Sequence, residues 1–408
     1  MQELPNHWKR TTLGEVCSVV TDGTHKTPKY IDKGVPFISI ANIQPFSPIS
    51  FKRYEKYIST AEHNVLIRRA NPEKDDILFP RIGTLGYAKR VDWDFDFSIF
   101  VGLGLAKPLK DIVRPKFLEY YMNTPFVSNF STRNANGSGR LTLPLEASRL
   151  MPVPLPPIDE QEGIVARIEE LFSELDAGVE SLKKAQAQLK TYRQAVLKSA
   201  FDDPEDKLSK YLLKDASLKI QIGPFGTQLH REDYVEGGIP LINPMHIKDG
   251  RIVANSSYSI TVAKRDSLAN YILKDGDVIL GRRGEMGRSG LVTEKEAGWL
   301  CGSGSLYFRP KKDLVDSAFL HNFLQSQTAK KYLEENAGGT TMANLNLKIV
   351  GNIPISLPSI NQQRHLVEEI ESRLSVCDKL EETIGASLKQ SEALRQSILK
   401  QAFEGKLI

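Results

Sequence analysis

Four glycines punctuate residues 281–290, GRRGEMGRSG, and hold Arg282, Arg283 and Arg288 between them. Guanidinium forks on a backbone that can approach closely suit a polyanion, because they pair with phosphate oxygens and with the O6/N7 edge of guanine. A second cationic loop, TDGTHKTPKY at residues 21–30, puts His25, Lys26 and Lys29 on a turn. The loop RIGTLG at 81–86 repeats the arginine and both glycines of 282–287 as Arg81, Gly83 and Gly86, and adds Thr84. NGSGR at 136–140 offers Ser138 and Arg140, GGTTMAN at 338–344 offers Thr341 and Asn344, and TQLHR at 227–231 offers Gln228 and Arg231. Amide side chains such as Asn344 and Gln228 suit adenine. Any one of these segments has an ordinary alternative as a solvated loop. Their recurrence at corresponding places along the chain favours binding.

The pieces of catalysis do not assemble. Asn243-Pro244-Met245-His246 lacks the second proline and the aromatic ring of an adenine-methyltransferase motif, and no glycine-rich cofactor loop precedes it. It reads instead as the end of a strand. Gly102-Leu103-Gly104 and Gly302-Ser303-Gly304 lack the spacing of a dinucleotide fingerprint, and there is no P-loop. Asp92, Asp94 and Asp96 alternate with Trp93, Phe95 and Phe97, which predicts a strand with acids on one face and rings on the other. A calcium loop would need a glycine at its sixth position and a closing glutamate. Cys17, Cys301 and Cys377 are too far apart for a zinc site and read as buried small hydrophobes. The histidines include no metal-ligand pair at helical spacing, so neither a metal site nor a catalytic set is expected.

The elements that must position these loops occur twice. MPVPLPPIDEQEGIVARIEELFSELD at 151–176 and IPISLPSINQQRHLVEEIESRLSVCD at 353–378 are identical at ten of 26 positions, with an offset of 202. At the same offset RQAVLKSAF (193–201) matches RQSILKQAF (395–403); upstream, at an offset of 204, GVPFISIANI (34–43) resembles GIPLINPMHI (238–247). A period near 200 residues is too long for a solenoid and marks duplication of a whole domain with its following helix. Residues 44–73 and 248–274 have little in common, so one scaffold carries two unlike surfaces.

Each copy closes on a helix. Ile168, Leu171, Leu175, Gly178, Leu182, Ala185, Leu189, Tyr192 and Val196 step by three and four, as do Val367, Ile370, Leu374, Cys377, Leu380 and Ile384 with small drifts. About 40 residues at 1.5 Å each make a rod of roughly 60 Å. An apolar stripe that narrow must bury, and the simplest partner is its copy in the same chain, giving an antiparallel pair with Gly178, Ala185 and Ser391 as small seam residues. An intermolecular zipper or a helix packed on its own domain is the alternative. The two globular parts show short strands, turn signals at Asp22-Gly23, Asp249-Gly250 and Asp275-Gly276, and helical spacing near 115–130 and 317–335. The expected fold is α+β: recognition domains at 1–157 and 204–358, each a mixed sheet with covering helices, and spacer helices at 158–203 and 359–408.

Composition limits the setting. Forty per cent apolar and 25 per cent charged residues describe a globular chain, and no run approaches the ~18 apolar residues of a membrane span. MQELPNHWKR lacks the apolar core of a secretory signal, so a cytoplasmic location is expected. A net charge of +4 permits nucleic-acid binding without requiring it.

DGTHKTPKY followed by GVPFISIANI, the helix entry LPLEASRLMPVPLPPIDEQEGIVARIEELF and the ending LRQSILKQAFEGKLI together resemble the specificity subunits of type I restriction–modification enzymes. The resemblance covers the whole chain in the order reader, helix, reader, helix. It implies a non-catalytic DNA-binding subunit with an intramolecular antiparallel coiled coil, each variable domain reading half of a bipartite, asymmetric target. It further implies helices that set the gap between half-sites and two modification subunits that carry the S-adenosylmethionine chemistry. Restriction subunits would bring ATP- and Mg2+-dependent cleavage, leaving no cofactor on this chain. One departure is Met342-Ala343, which stands where the first copy has Arg140 and Leu141. A coiled-coil scaffold whose ends bind proteins is the other reading, and it calls for aromatic loops poor in arginine, unlike 281–290. A fused restriction–methylation enzyme would need motifs that are missing here.

Overall fold

The computed structural model describes residues 4–201, 209–337 and 344–408. It divides into two units, one of residues 1–182 with 385–408 and one of residues 183–384. The division passes through both long helices, Ile158–Phe201 and Ile360–Phe403, each of 44 residues. Each unit therefore contains one globular body, part of the helix that follows it in sequence, and part of the other helix.

In the first unit an antiparallel sheet runs in the order Cys17–Asp22, Leu103–Pro108, Ile77–Pro80, Lys89–Arg90. A smaller sheet joins Tyr57–Ile58, Val35–Ile38 and Ser98–Ile99, the last pair parallel. Lys9–Thr12 pairs with Pro152–Leu155, which turns the proline entry into a short ladder leading to the first long helix. The second unit repeats this plan. Its larger sheet is Ser217–Ile222, Ser305–Pro310, Val278–Gly281, Ser289–Leu291, and Ser209–Leu212 pairs with Pro354–Leu357. Each larger sheet packs against paired short helices, Pro115–Met122 and Pro125–Arg133 in the first unit, Ser317–Gln325 and Gln327–Asn336 in the second. Each pair is split where a hydroxyl restarts the helix. Thr124 Oγ1 accepts from the Val127 N–H and Ser326 Oγ from the Ala329 N–H.

Several local expectations change. Asp249-Gly250 does form the turn of a two-residue hairpin, with φ of 48° and 77°. Asp22, in contrast, ends a strand, and Gly23 serves close packing: a Cβ there would lie 2.1 Å from the Ile99 carbonyl oxygen. Residues 91–97 form no strand; Trp93 and Phe97 are buried, whereas Phe95 is half exposed among neighbouring rings. Gly178 and Tyr192 face away from the seam, and a Cβ at Gly178 would meet nothing within 4 Å, so it is not a point of close approach. Cys17, Cys301 and Cys377 are free and buried, as small hydrophobes should be; burial pushes the Cys17 thiol up to about 12.

Within each unit the helices run antiparallel in one repeated register. Phe403 packs edge-on against Phe117 and Tyr121 with centroids 5.0 and 5.2 Å away; Phe201 meets Phe319 and Phe323 at 5.1 and 5.6 Å. Adding 202 to Phe117, Tyr121 and Phe201 gives Phe319, Phe323 and Phe403. Arg395 pairs with Asp176 in the first unit and Arg193 with Asp378 in the second, again related by 202. Two buried glutamines weld body to helix in the same way. Gln161 donates to the carbonyls of Ile112 (3.0 Å) and Pro156 (2.9 Å) and accepts from the Arg114 N–H (2.8 Å). Gln363 donates to Leu314 (3.0 Å) and Pro358 (2.9 Å) and accepts from the Asp316 N–H (2.9 Å).

Each glutamine satisfies three backbone groups where water has little access. Leaving such groups unpaired costs about 1–3 kcal/mol apiece, reduced where the backbone relaxes. Gln161→Leu should therefore lose about 2–4 kcal/mol in urea denaturation, and Gln363→Leu a similar amount. A loss below about 0.5 kcal/mol at either position would show that the amide holds nothing together.

Candidate nucleic-acid interface

The edge of the first unit where most of its candidate loops meet is organised around a carboxylate that sequence patterning reads as part of a turn. Asp22, with its side chain 3 per cent exposed, accepts from Arg81 Nη1 and Arg69 Nη2 and lies 3.2 Å from His25 Nε2. Arg81 follows the strand Ile77–Pro80, where its N–H donates to the Gly102 carbonyl (2.8 Å) and its Nε to the Leu143 carbonyl (3.1 Å). The Leu143 N–H returns a bond to the Arg81 carbonyl at 2.7 Å. One buried guanidinium thus ties together the end of the strand Cys17–Asp22, the loop after the strand Ile77–Pro80 and the segment before the proline entry. Two arginines share one carboxylate, so the cluster keeps a cationic excess, carried outward by Arg69, whose Nη2 also lies 3.2 Å from His25 Nε2.

The glycines of 81–86 have different tasks. Gly83 and Gly86 take φ of 85° and 82°, a region that side chains with a Cβ avoid. Gly86 also sits against the helix Pro125–Arg133, where a Cβ would meet the Ser128 Cα at 2.3 Å. This leaves Thr84 exposed on the loop. Residues 136 and 142 exchange both backbone hydrogen bonds, and the Gly83 N–H donates to the Leu141 carbonyl, so Ser138 and Arg140 lie exposed on a hairpin beside that loop. His25, Lys26 and Lys29 are all exposed, but only His25 joins the Asp22 cluster. Lys29 runs toward the helix Thr60–Leu66, with its N–H on Glu62.

The second unit keeps the frame and exchanges the chemistry. Ile222 pairs with Leu306 as Asp22 pairs with Gly104, which places Ile222 at the carboxylate's position. Three residues further on, Phe225 stands for His25. Ten residues after the helix caps Ser59 and Thr261, Tyr271 stands for Arg69. Arg282 retains the clamp: its N–H donates to the Gly304 carbonyl (2.9 Å), its Nε to Leu345 (2.8 Å), Nη1 to the Ser303 carbonyl (3.3 Å) and Nη2 to Asn344 Oδ1 (3.2 Å). Among the described residues no carboxylate pairs with it. Burial, and then the neighbouring charge of Arg283, push its guanidinium below its ordinary value. A cleft of about 410 Å³ opens there, lined by Arg282, Arg283, Ser303, Ile222 and the exposed ring of Phe225.

The other candidates of this unit divide by accessibility. Arg283 is exposed. Arg288 is turned inward, donating to Glu285 (3.0 Å) and to the Pro244 carbonyl (3.2 Å). Gln228 accepts from the Tyr271 hydroxyl at 2.8 Å and is otherwise exposed, as is Arg231 on the turn Arg231–Asp233. Thr341 lies outside the described residues. The organising residues Asp22, Arg69, Ile222, Phe225 and Tyr271 carry no signal by type or spacing; aligning the repeats on Gly23/Gly223 would have exposed the first and third. Among the described residues no group of histidine, cysteine and acid side chains could hold a metal ion, and no helix is long and apolar enough to cross a membrane.

Comparison with known proteins agrees with the doubled plan. The family model for the type I restriction modification DNA specificity domain matches residues 5–190 and again 223–390. The specificity subunit of the type I restriction enzyme EcoBI of Escherichia coli is 28 per cent identical over 300 residues, covering 68 per cent of this chain and 63 per cent of that subunit. The StySPI specificity subunit of Salmonella potsdam is 22 per cent identical, covering 99 and 90 per cent. In fold, the chain resembles one in a structure described as the basis of complex assembly and conformational transition of the type I R-M system, with a TM-score of 0.75, 20 per cent identity and full coverage of both chains. The HsdS subunit of Thermoanaerobacter tengcongensis gives a TM-score of 0.52 at 20 per cent identity, covering 99 and 98 per cent.

Removing the shared carboxylate strands a buried cation. Asp22→Asn should lower stability by about 3–5 kcal/mol, the usual result of deleting one partner of a buried ion pair. Arg69→Gln, at the half-exposed partner, should cost less than about 1 kcal/mol. Chemical denaturation of the two variants checks this, and equal losses would contradict the assigned geometry.

Proposed function

We propose that this chain, which belongs to the type I restriction modification DNA specificity family, reads the two unlike halves of a split double-stranded DNA target, one half with each unit. The observation that carries this reading is one loop frame built twice, closed by Arg81 or Arg282, with exposed groups that differ at every variable position around it. A repeated frame with unlike side chains suits a bipartite, asymmetric site; two equal frames would read a palindrome. Arg140, Ser138, Thr84, His25, Lys26 and Lys29 face the first half, and Arg283, Gln228, Arg231 and Asn344 the second. Arg81, Arg282 and Arg288 are held by internal acceptors, so their first task is to shape the loops.

In this reading the chain supplies recognition and no catalytic group. Two modification subunits bring S-adenosylmethionine, restriction subunits bring ATP- and Mg2+-dependent cleavage, and the assembly works in the cytoplasm. The long helices set the gap between half-sites, a role supported by their length and repeated register.

The full chain with its modification subunits should bind one bipartite duplex in preference to scrambled DNA. Log K against log [salt] should fall with a slope of about −0.9 for each phosphate neutralised. Arg283→Ala should relax preference in one half-site by about 1–3 kcal/mol per affected base pair and leave the other unchanged. Binding that is flat in salt and blind to sequence would remove the proposal; equal loss at both half-sites would remove the division of labour.

A further inference from the structure

The same position is filled by a buried carboxylate in one unit and by the edge of an apolar side chain in the other, yet the arginine facing it is kept in both. In the first unit Asp22 neutralises Arg81 inside the fold. In the second, Ile222 leaves Arg282 with two backbone carbonyls and one amide oxygen as acceptors, beside the exposed cation Arg283. Neutral acceptors satisfy the N–H groups of a guanidinium but not its charge, and an uncompensated cation at the wall of a half-buried cleft is costly to maintain. Among the described residues three of its five donors are engaged, so two remain to face an incoming oxygen anion. Ile222 and Phe225 line the cleft without bringing negative charge, and Ser303 lies alongside.

We propose that the cleft at Arg282 is a phosphate subsite, which takes one phosphodiester of the DNA backbone in the place that Asp22 occupies in the first unit. This rests on the DNA-reading function above and adds an asymmetry to it. The second unit uses its clamp arginine on the ligand; the first has sealed the equivalent site with its own carboxylate and meets DNA through residues further out. Arg282 then positions the duplex and carries no base information, whereas Arg283, exposed at the rim, remains free to read.

The test uses the full chain with its modification subunits and target duplexes in which single phosphates are replaced, one at a time, by uncharged methylphosphonates. In wild type, one replacement in the half-site read by the second unit should reduce the salt slope by about 0.9. Ile222→Asp supplies the missing carboxylate, so it should lower the slope by the same amount on unmodified DNA and become insensitive to that replacement. Ile222→Asn, which matches the aspartate in shape but carries no charge, should keep the wild-type slope. Base preference should stay unchanged in all three. Should Ile222→Asp fail to fold, Arg282→Gln takes its place and should silence the same phosphate. The inference is overturned if the aspartate variant keeps the wild-type slope, if the substitution alters base preference instead, or if inorganic phosphate binds the cleft while no methylphosphonate position responds. In each of those cases the wild-type preference for a bipartite site survives; its loss would instead sink the DNA-reading function.

Discussion

The fold depends on an exchange of helix ends. Phe403 completes the aromatic core of the first unit and Phe201 that of the second, so each globular body is finished by the far end of the helix that follows the other body in sequence. A ring buried among two others contributes its transfer energy plus about 0.5–1.5 kcal/mol for each favourable edge contact. That energy is available only when the two helices run antiparallel in one register, the register in which Arg395 reaches Asp176 and Arg193 reaches Asp378. These ion pairs are partly exposed and individually weak. Their value is specificity, because a slip of one turn would separate every charged pair and every ring at once.

This explains which parts were legible in the sequence. Identity between the copies concentrates at Pro156/Pro358, Gln161/Gln363, Arg193/Arg395 and Phe201/Phe403, and each of these proves to hold a body to a helix or one helix to the other. Heptad spacing showed the helices and the offset showed the duplication. Neither could show that the units exchange helix ends, since periodicity records which residues are apolar and is silent about what they cover. Gly178 marks that limit. It sits on the ladder by count, yet lies exposed, because the drift of 3.6 against 3.5 residues per turn had carried that face outward.

The candidate site was less legible because its organising groups resemble something simpler. Asp22 precedes a glycine and reads as a turn, but a strand partner at Gly104 and two arginines make it the anchor of the loop cluster. Glycine in that dipeptide provides room for a neighbouring carbonyl, a requirement of tertiary contact that local chemistry does not reveal. Likewise the arginine-rich loop 281–290 suggested three equivalent contacts. Geometry sorts them into a clamp, an exposed group and an internal brace, at Arg282, Arg283 and Arg288.

A duplicated domain can diverge in what it reads only if divergence leaves the frame standing. Here the frame rests on backbone acceptors: Arg81 and Arg282 both grip the carbonyl before the proline entry, at Leu143 and Leu345, whatever their other neighbours are. Backbone carbonyls survive every side-chain substitution. The acidic partner, by contrast, was free to change, and with it changed His25 to Phe225 and Arg69 to Tyr271 at the corresponding positions of the second copy. Such coupled replacement follows from electrostatics. Arg69 and His25 face that carboxylate and lose their partner when it goes, so the three vary as a group, while the clamp arginine remains because backbone carbonyls hold it.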